Sequence, residues 1–160
     1  LFSSLSNVTN ITGIEFLDTT GVTSISGLFA VMSSLQGPLD LSAFDTSNVT
    51  SMNGLFLSDS LLSGVNVSSF DTSNVTDMGG MFSGMSSLQS LDLSSFDTSK
   101  VTWNAYFLSQ TSKLSQLTVG SKFDFGDSAM LPEITPDSTY TGNWQNIGSG
   151  SLDAPSGSNV

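Results

Sequence analysis

The chain has 160 residues, 38% of them hydrophobic, which is enough for one continuous core without a disulfide or metal staple. It has no cysteine and no histidine, and its basic residues are Lys100, Lys113 and Lys122. Cys–His and Ser–His–Asp nucleophilic centres, His- or Cys-ligated zinc and arginine clamps are therefore excluded. A formal charge of −11 repels nucleic acid and anionic lipid surfaces.

Taken in order, residues 1–13, with Leu1, Phe2, Leu5, Val8 and Ile11, read as an amphipathic N-terminal cap. Leu1-Phe2-Ser3 does not open a signal peptide, and no run of about 18 apolar residues is present. The chain reads as an excised domain.

From residue 14 to residue 125 the sequence repeats. Phe70-Asp71-Thr72-Ser73-Asn74-Val75-Thr76 occurs also at Phe44 to Thr50, and again at Phe96 to Thr102 with Lys100 for the Asn, a period of 26 residues. A fixed period of this size predicts a repeat solenoid of about five units. Strands are predicted at Ile14-Glu15-Phe16, Leu39-Asp40-Leu41, Val65-Asn66-Val67, Leu91-Asp92-Leu93 and Leu117-Thr118-Val119, where apolar and polar residues alternate. Strands one full unit apart in one sheet must run parallel. After each motif, Val75, Met78 and Phe82, or Val49, Met52 and Phe56, fall at helical spacing, which predicts about two turns of helix or 3₁₀. Like residues should then form core columns: Phe44, Phe70, Phe96; Val49, Val75, Val101; Leu62, Leu88, Leu114.

Repetition ends near Asp124. Residues 126–147, with Met130, Leu131, Ile134, Tyr140 and Trp144, are expected to cap the last unit. Residues 148–160, rich in Gly and Ser, read as a linker.

The string L-x-x-L-x-L-x-x-F-D-T-S-N-V-T-x-M-x-x-M-F, at Leu62 to Phe82 and more fully at Leu88 to Thr102, resembles the BspA-type leucine-rich repeats of Gram-positive surface proteins. Tyr140-Thr141-Gly142-Asn143-Trp144-Gln145 resembles the segment that follows such repeats in adhesins of lactic acid bacteria. The resemblance implies a leucine-rich-repeat-like α/β solenoid, with a short-stranded parallel sheet on one face and short helices on the other. It also implies a secreted, wall-anchored protein that attaches to host matrix, mucus or other cells, with no catalytic residues and no cofactor.

Two surfaces are candidate ligand sites. The outward strand positions form a column, Glu15, Asp40, Asn66, Asp92 and Thr118, whose carboxylates suit sugar hydroxyls or a basic protein patch; the bland reading is a solvated sheet. Trp103, Tyr106, Tyr140 and Trp144 are all the Trp and Tyr of the chain and lie in its C-terminal third, where they form either a contact patch or the glue of a cap. A further column, Asp18, Asp45, Asp71 and Asp97, would place like charges about 5 Å apart at a cost of about 0.8 kcal/mol per adjacent pair in water. Asx turns are expected to offset that cost. Calcium is the sharper alternative, although neither an EF-hand loop nor a G-G-x-G-x-D repeat occurs.

The expected function is non-catalytic adhesion to a host protein, a glycan or another cell surface, by a monomeric domain within a longer chain. A passive stalk is the alternative, and a carboxylate-based glycosidase a remote one.

Overall fold

The computed structural model describes residues 1–125. Among them lie a 3₁₀ turn at Ile14–Phe16 and four short strands: β1 (Gly37–Asp40), β2 (Leu62–Asn66), β3 (Ser90–Leu93) and β4 (Gln116–Val119). β1 pairs with β2 and β3 with β4, both in parallel. The registers Leu39↔Val65, Asp40↔Asn66, Leu91↔Leu117 and Asp92↔Thr118 join residues 26 apart.

The expected α/β repeat solenoid, with a leucine-rich-repeat-like sheet on one face and helices on the other, is not what forms. Two two-stranded sheets replace one five-stranded sheet, and helix among the described residues is confined to three residues of 3₁₀.

The missing helices have a hydrogen-bonding cause. Met52, Gly54, Phe56 and Ser58 donate their N–H groups sideways, to the carbonyls of Asp77, Gly79, Met81 and Ser83 in the next unit. Only the intervening Leu55, Leu57 and Asp59 bond backwards, to Met52, Gly54 and Phe56. An α-helix needs every interior N–H for its own carbonyls, so alternate lateral donation rules it out. The same alternation joins Ile25, Gly27, Phe29 and Val31 to the carbonyls of Ser51, Asn53, Leu55 and Leu57, and Met78, Gly80, Phe82 and Gly84 to the segment at Trp103 to Ser109. Gly54 and Gly80, with φ of 59° and 60°, lie in the left-handed region that a right-handed helix cannot contain.

The strand expected at Ile14-Glu15-Phe16 is the 3₁₀ turn. Leu41 N–H donates to Asn66 in β2, so alternation turns the N positions of Asp40 and Pro38 toward the first unit, and Pro38 has no N–H to offer there. Gly13, at φ 77°, instead starts a turn whose carbonyl accepts from Phe16. Between the two sheets, the register shift at Gly37/Pro38 leaves Ser63 as an extra residue in β2; such a bulge increases local twist and ends pairing on the far side.

The repeated heptapeptide acts as cement between units. Its Asp accepts the N–H of the Ser two residues on, at 3.0, 2.9 and 3.0 Å for Asp45, Asp71 and Asp97. Its Thr is buried in the first two copies, Thr46 and Thr72, and the hydroxyl works in both directions. Thr72 Oγ1 accepts Asp97 N–H at 2.7 Å and donates to Asp97 O at 3.0 Å, as Thr46 does with Asp71. The last Thr donates to the preceding unit, Thr76 to Thr50 O and Thr102 to Thr76 O. Thr72→Val keeps shape but orphans the Asp97 N–H, so it is expected to lower stability by about 1–3 kcal/mol in urea unfolding, while Thr72→Ser should cost less.

The core is built from columns. Phe44, Phe70 and Phe96, Val49 and Val75, and Leu62, Leu88 and Leu114 are buried as expected, with Val101 partly so. A second aromatic column, Phe2, Phe29, Phe56 and Phe82, stacks at centroid spacings of 5.4, 5.7 and 5.6 Å. It ends edge-on at Phe107, where the aromatic sits one residue early and Leu108 takes the aligned place.

Candidate functional site

Glu15, at the 3₁₀ turn, and Asp40, at the end of β1, share a groove of about 340 Å³ lined also by Ile11, Ile14, Pro38, Leu39, Ser42 and Ala43. Both acids are exposed, and most of the other lining residues are apolar. Asp40 and Asn66 are register partners, so their side chains meet, and Asn66 Nδ2–H donates to Asp40 Oδ1 at 2.9 Å. The same oxygen accepts Ser42 N–H at 3.0 Å. Hydrogen bonds from Ser42, backbone first, hold the Asp40 carboxyl below the usual carboxylate range, so it is an anion at neutral pH.

Asp92 lies on the other sheet, opposite Thr118, with Oδ1 accepting Ser94 N–H at 2.9 Å. The structure therefore brings Glu15, Asp40 and Asn66 together and leaves Asp92 in a separate sheet. One oxygen of Asp40, of Asn66 and of Asp92 is used in its own turn.

Asp18, Asp45, Asp71 and Asp97 form the expected Asx turns, and each carboxyl is held below its ordinary value by hydrogen bonds from the residue two positions on. Asp97 goes lowest, to about 2, because Ser99 side-chain and backbone bonds are joined by Lys122 Nζ at 3.1 Å. These bonds offset the repulsion along the column.

Trp103 and Tyr106 are exposed, at 55% and 61%, and Tyr140 and Trp144 lie outside the described residues. The expected cap at 126–147 and linker at 148–160 lie outside them too. Trp103 is the bridge partner of Asp77, which pairs in turn with Ser51, and Ser51 with Ser24. Tyr106 has φ 62° at the place where earlier units carry Gly27, Gly54 and Gly80, all near 60°. A side chain there costs about 1–3 kcal/mol of backbone strain.

Sequence reasoning missed two acids. Asp77 follows the repeated motif, where the spacing predicts helix, but the lateral bridges place it beside Trp103. Asp59 is fully buried. Its carbonyl accepts from Leu62 as those of Met32, Met85 and Thr111 accept from Leu35, Leu88 and Leu114, so it fills a methionine position. Aligning Asp59 with Met85, 26 residues on, was the signal that could have found it.

Among the described residues the fold and surface define a repeat protein made of turns and short parallel strand pairs, with polar rows facing outward over a Phe, Leu and Met core. The chain belongs to the family described as "Mycoplasma protein of unknown function, DUF285", whose model matches residues 1–121. No curated protein and no solved structure matches it. Among the described residues no helix is long and apolar enough to cross a membrane.

Proposed function

We propose that this chain is a non-catalytic adhesion module displayed at a cell surface, which holds a host matrix or mucus protein, a glycan or another cell. The observation that carries the reading is the groove lined by Glu15 and Asp40 together with mostly apolar residues. A lysine side chain or a hydroxyl-rich ring presents an apolar body with polar ends, which suits such a groove. The likeness of the repeat to BspA-type repeats, and of residues 140–145 to lactic-acid-bacterium adhesins, supports a location outside the cell.

A glycosidase reading is disfavoured by the groove's own electrostatics. It needs a proton donor, and Asp40, held below the usual carboxylate range, does not suit that role. The passive-stalk reading is separated by replacement. Exchanging this domain for an unrelated spacer of equal length should abolish attachment of the bearing cells, and preserved attachment would sink the proposal. At low salt, Glu15→Gln with Asp40→Asn is expected to weaken attachment to a basic protein surface by roughly three- to tenfold, an effect that fades as salt rises. Asp40→Asn keeps the acceptor of the turn at Ser42, so the fold should be unchanged.

A further inference from the structure

We propose that Trp103, Asp77 and Asn53 form a stacking subsite for an uncharged pyranose ring, on a surface separate from the groove; the proposal deepens the adhesion reading by naming a ligand class.

The indole has a fixed seat. A Cβ placed on Gly79 would lie 2.5 Å from both Cδ1 and Nε1 of Trp103, so the ring rests where that side chain would stand. Gly79 is buried beneath it, and Trp103 still exposes 55% of its surface. A large apolar ring is thus held against backbone on one side and left to solvent elsewhere. Its Nε1–H makes no hydrogen bond within the described residues. A purely structural tryptophan usually buries its ring and satisfies that donor.

Polar groups stand beside the ring. Asp77 is the bridge partner of Trp103, so the two side chains are neighbours in one lateral row. The Asp77 carboxylate is held in place by Gly79 N–H to Oδ1 at 2.9 Å and by Asn53 Nδ2–H to Oδ1 at 3.0 Å and to Oδ2 at 3.3 Å. The Asn53 amide lies close enough that Nδ2 is 2.9 Å from the same hypothetical Gly79 Cβ. Ser51 and Ser26, joined at 2.7 Å, continue the row with hydroxyls.

A pyranose presents an apolar C–H face and a rim of equatorial hydroxyls. The open part of the indole accepts the C–H face, and a positioned carboxylate meets the hydroxyls. Carboxylate-to-hydroxyl bonds are charge-assisted and directional. The sign of the site chooses among sugars. Asp77 and the overall charge of −11 disfavour sialylated and sulfated glycans, so the ligand is a neutral hexose or N-acetylhexosamine unit.

The full chain carrying Trp144→Phe has Trp103 as its sole tryptophan, which makes its fluorescence and its indole N–H resonance direct reporters. Titration with chitotriose, cellotriose and maltotriose is expected to shift both signals for at least one sugar, with sialyllactose and a sulfated disaccharide giving none. Trp103→Ala should weaken that binding by about tenfold or more, the range of an aromatic anchor, and Asp77→Asn by a few-fold. Gly79→Ala displaces the ring without removing it, at a residue whose φ is not positive, and should weaken binding comparably, with a modest fall in the unfolding midpoint. The proposal is overturned if no neutral sugar perturbs Trp103, if charged sugars bind as well, or if Gly79→Ala and Trp103→Ala bind with the original affinity. Attachment to a protein ligand that survives Trp103→Ala would leave the adhesion reading standing while removing this subsite.

Discussion

Raising the pH from about 4 to 7 is expected to destabilise this protein, and Asp59→Asn to remove most of that dependence. Asp59 is fully buried, aligned with Met32, Met85 and Thr111. Its Oδ1 accepts Met32 N–H at 2.8 Å, while Oδ2 is buried without a partner. Desolvation is the dominant cause of a carboxyl raised to about 7, with the Met32 bond opposing it. A folded-state value above the unfolded one means that the folded chain keeps a proton the unfolded chain has lost. The stabilisation is therefore complete below about pH 4, declines as the pH rises toward 7, and changes no further above it. Over that window the loss should be on the order of 2 to 4 kcal/mol.

The Asx-turn acids act in the opposite window. Asp18, Asp40, Asp45, Asp71 and Asp97 are all lowered, so the stability they contribute is present above about pH 4 and is lost on further acidification. The two groups together place the stability maximum near pH 4 to 5. Urea unfolding of the parent and of Asp59→Asn at pH 4, 5.5, 7 and 8 checks this. A parent as stable at pH 8 as at pH 5 would refute the assignment, and Asp59→Asn should be the more stable of the two at pH 8.

Truncating Phe56 should give the largest loss of any single core change, about 3–5 kcal/mol for Phe56→Ala. The ring is fully buried and stacked on both sides, 5.7 Å from Phe29 and 5.6 Å from Phe82. Its removal takes away one large transfer term and two ring contacts, and it opens a gap in the middle of a column whose neighbours are tied by lateral backbone bonds. Those bonds limit collapse, since Phe29 N–H is fixed to Leu55 O and Phe56 N–H to Met81 O at 3.0 and 2.9 Å. Phe16→Ala is the control: that ring is 84% exposed and should cost under about 0.5 kcal/mol. A shift in urea midpoint for Phe56→Ala no larger than for Phe16→Ala would show that the column does not carry the core.

The amino-acid sequence alone determined the period, the core columns and the Asx turns, because each depends on residue type at a fixed spacing. Phe44, Phe70 and Phe96 are buried for the same reason that they recur, and Asp71 bonds Ser73 N–H whatever surrounds it. It also determined the parallel register of Leu39 with Val65 and Leu91 with Leu117, since like residues pack best against like. The helices expected from Val75, Met78 and Phe82 failed because that spacing records which side chains face inward. It does not record where the N–H groups go, and lateral partners in neighbouring units took half of them. Only the tertiary structure decided that Pro38 would deny the first unit a strand, that Asp59 would be sealed beside methionines, and that Trp103 would rest on Gly79 beside Asp77. Each of these is a contact between residues 20 or more positions apart, and no local pattern of spacing encodes which neighbour a side chain will meet.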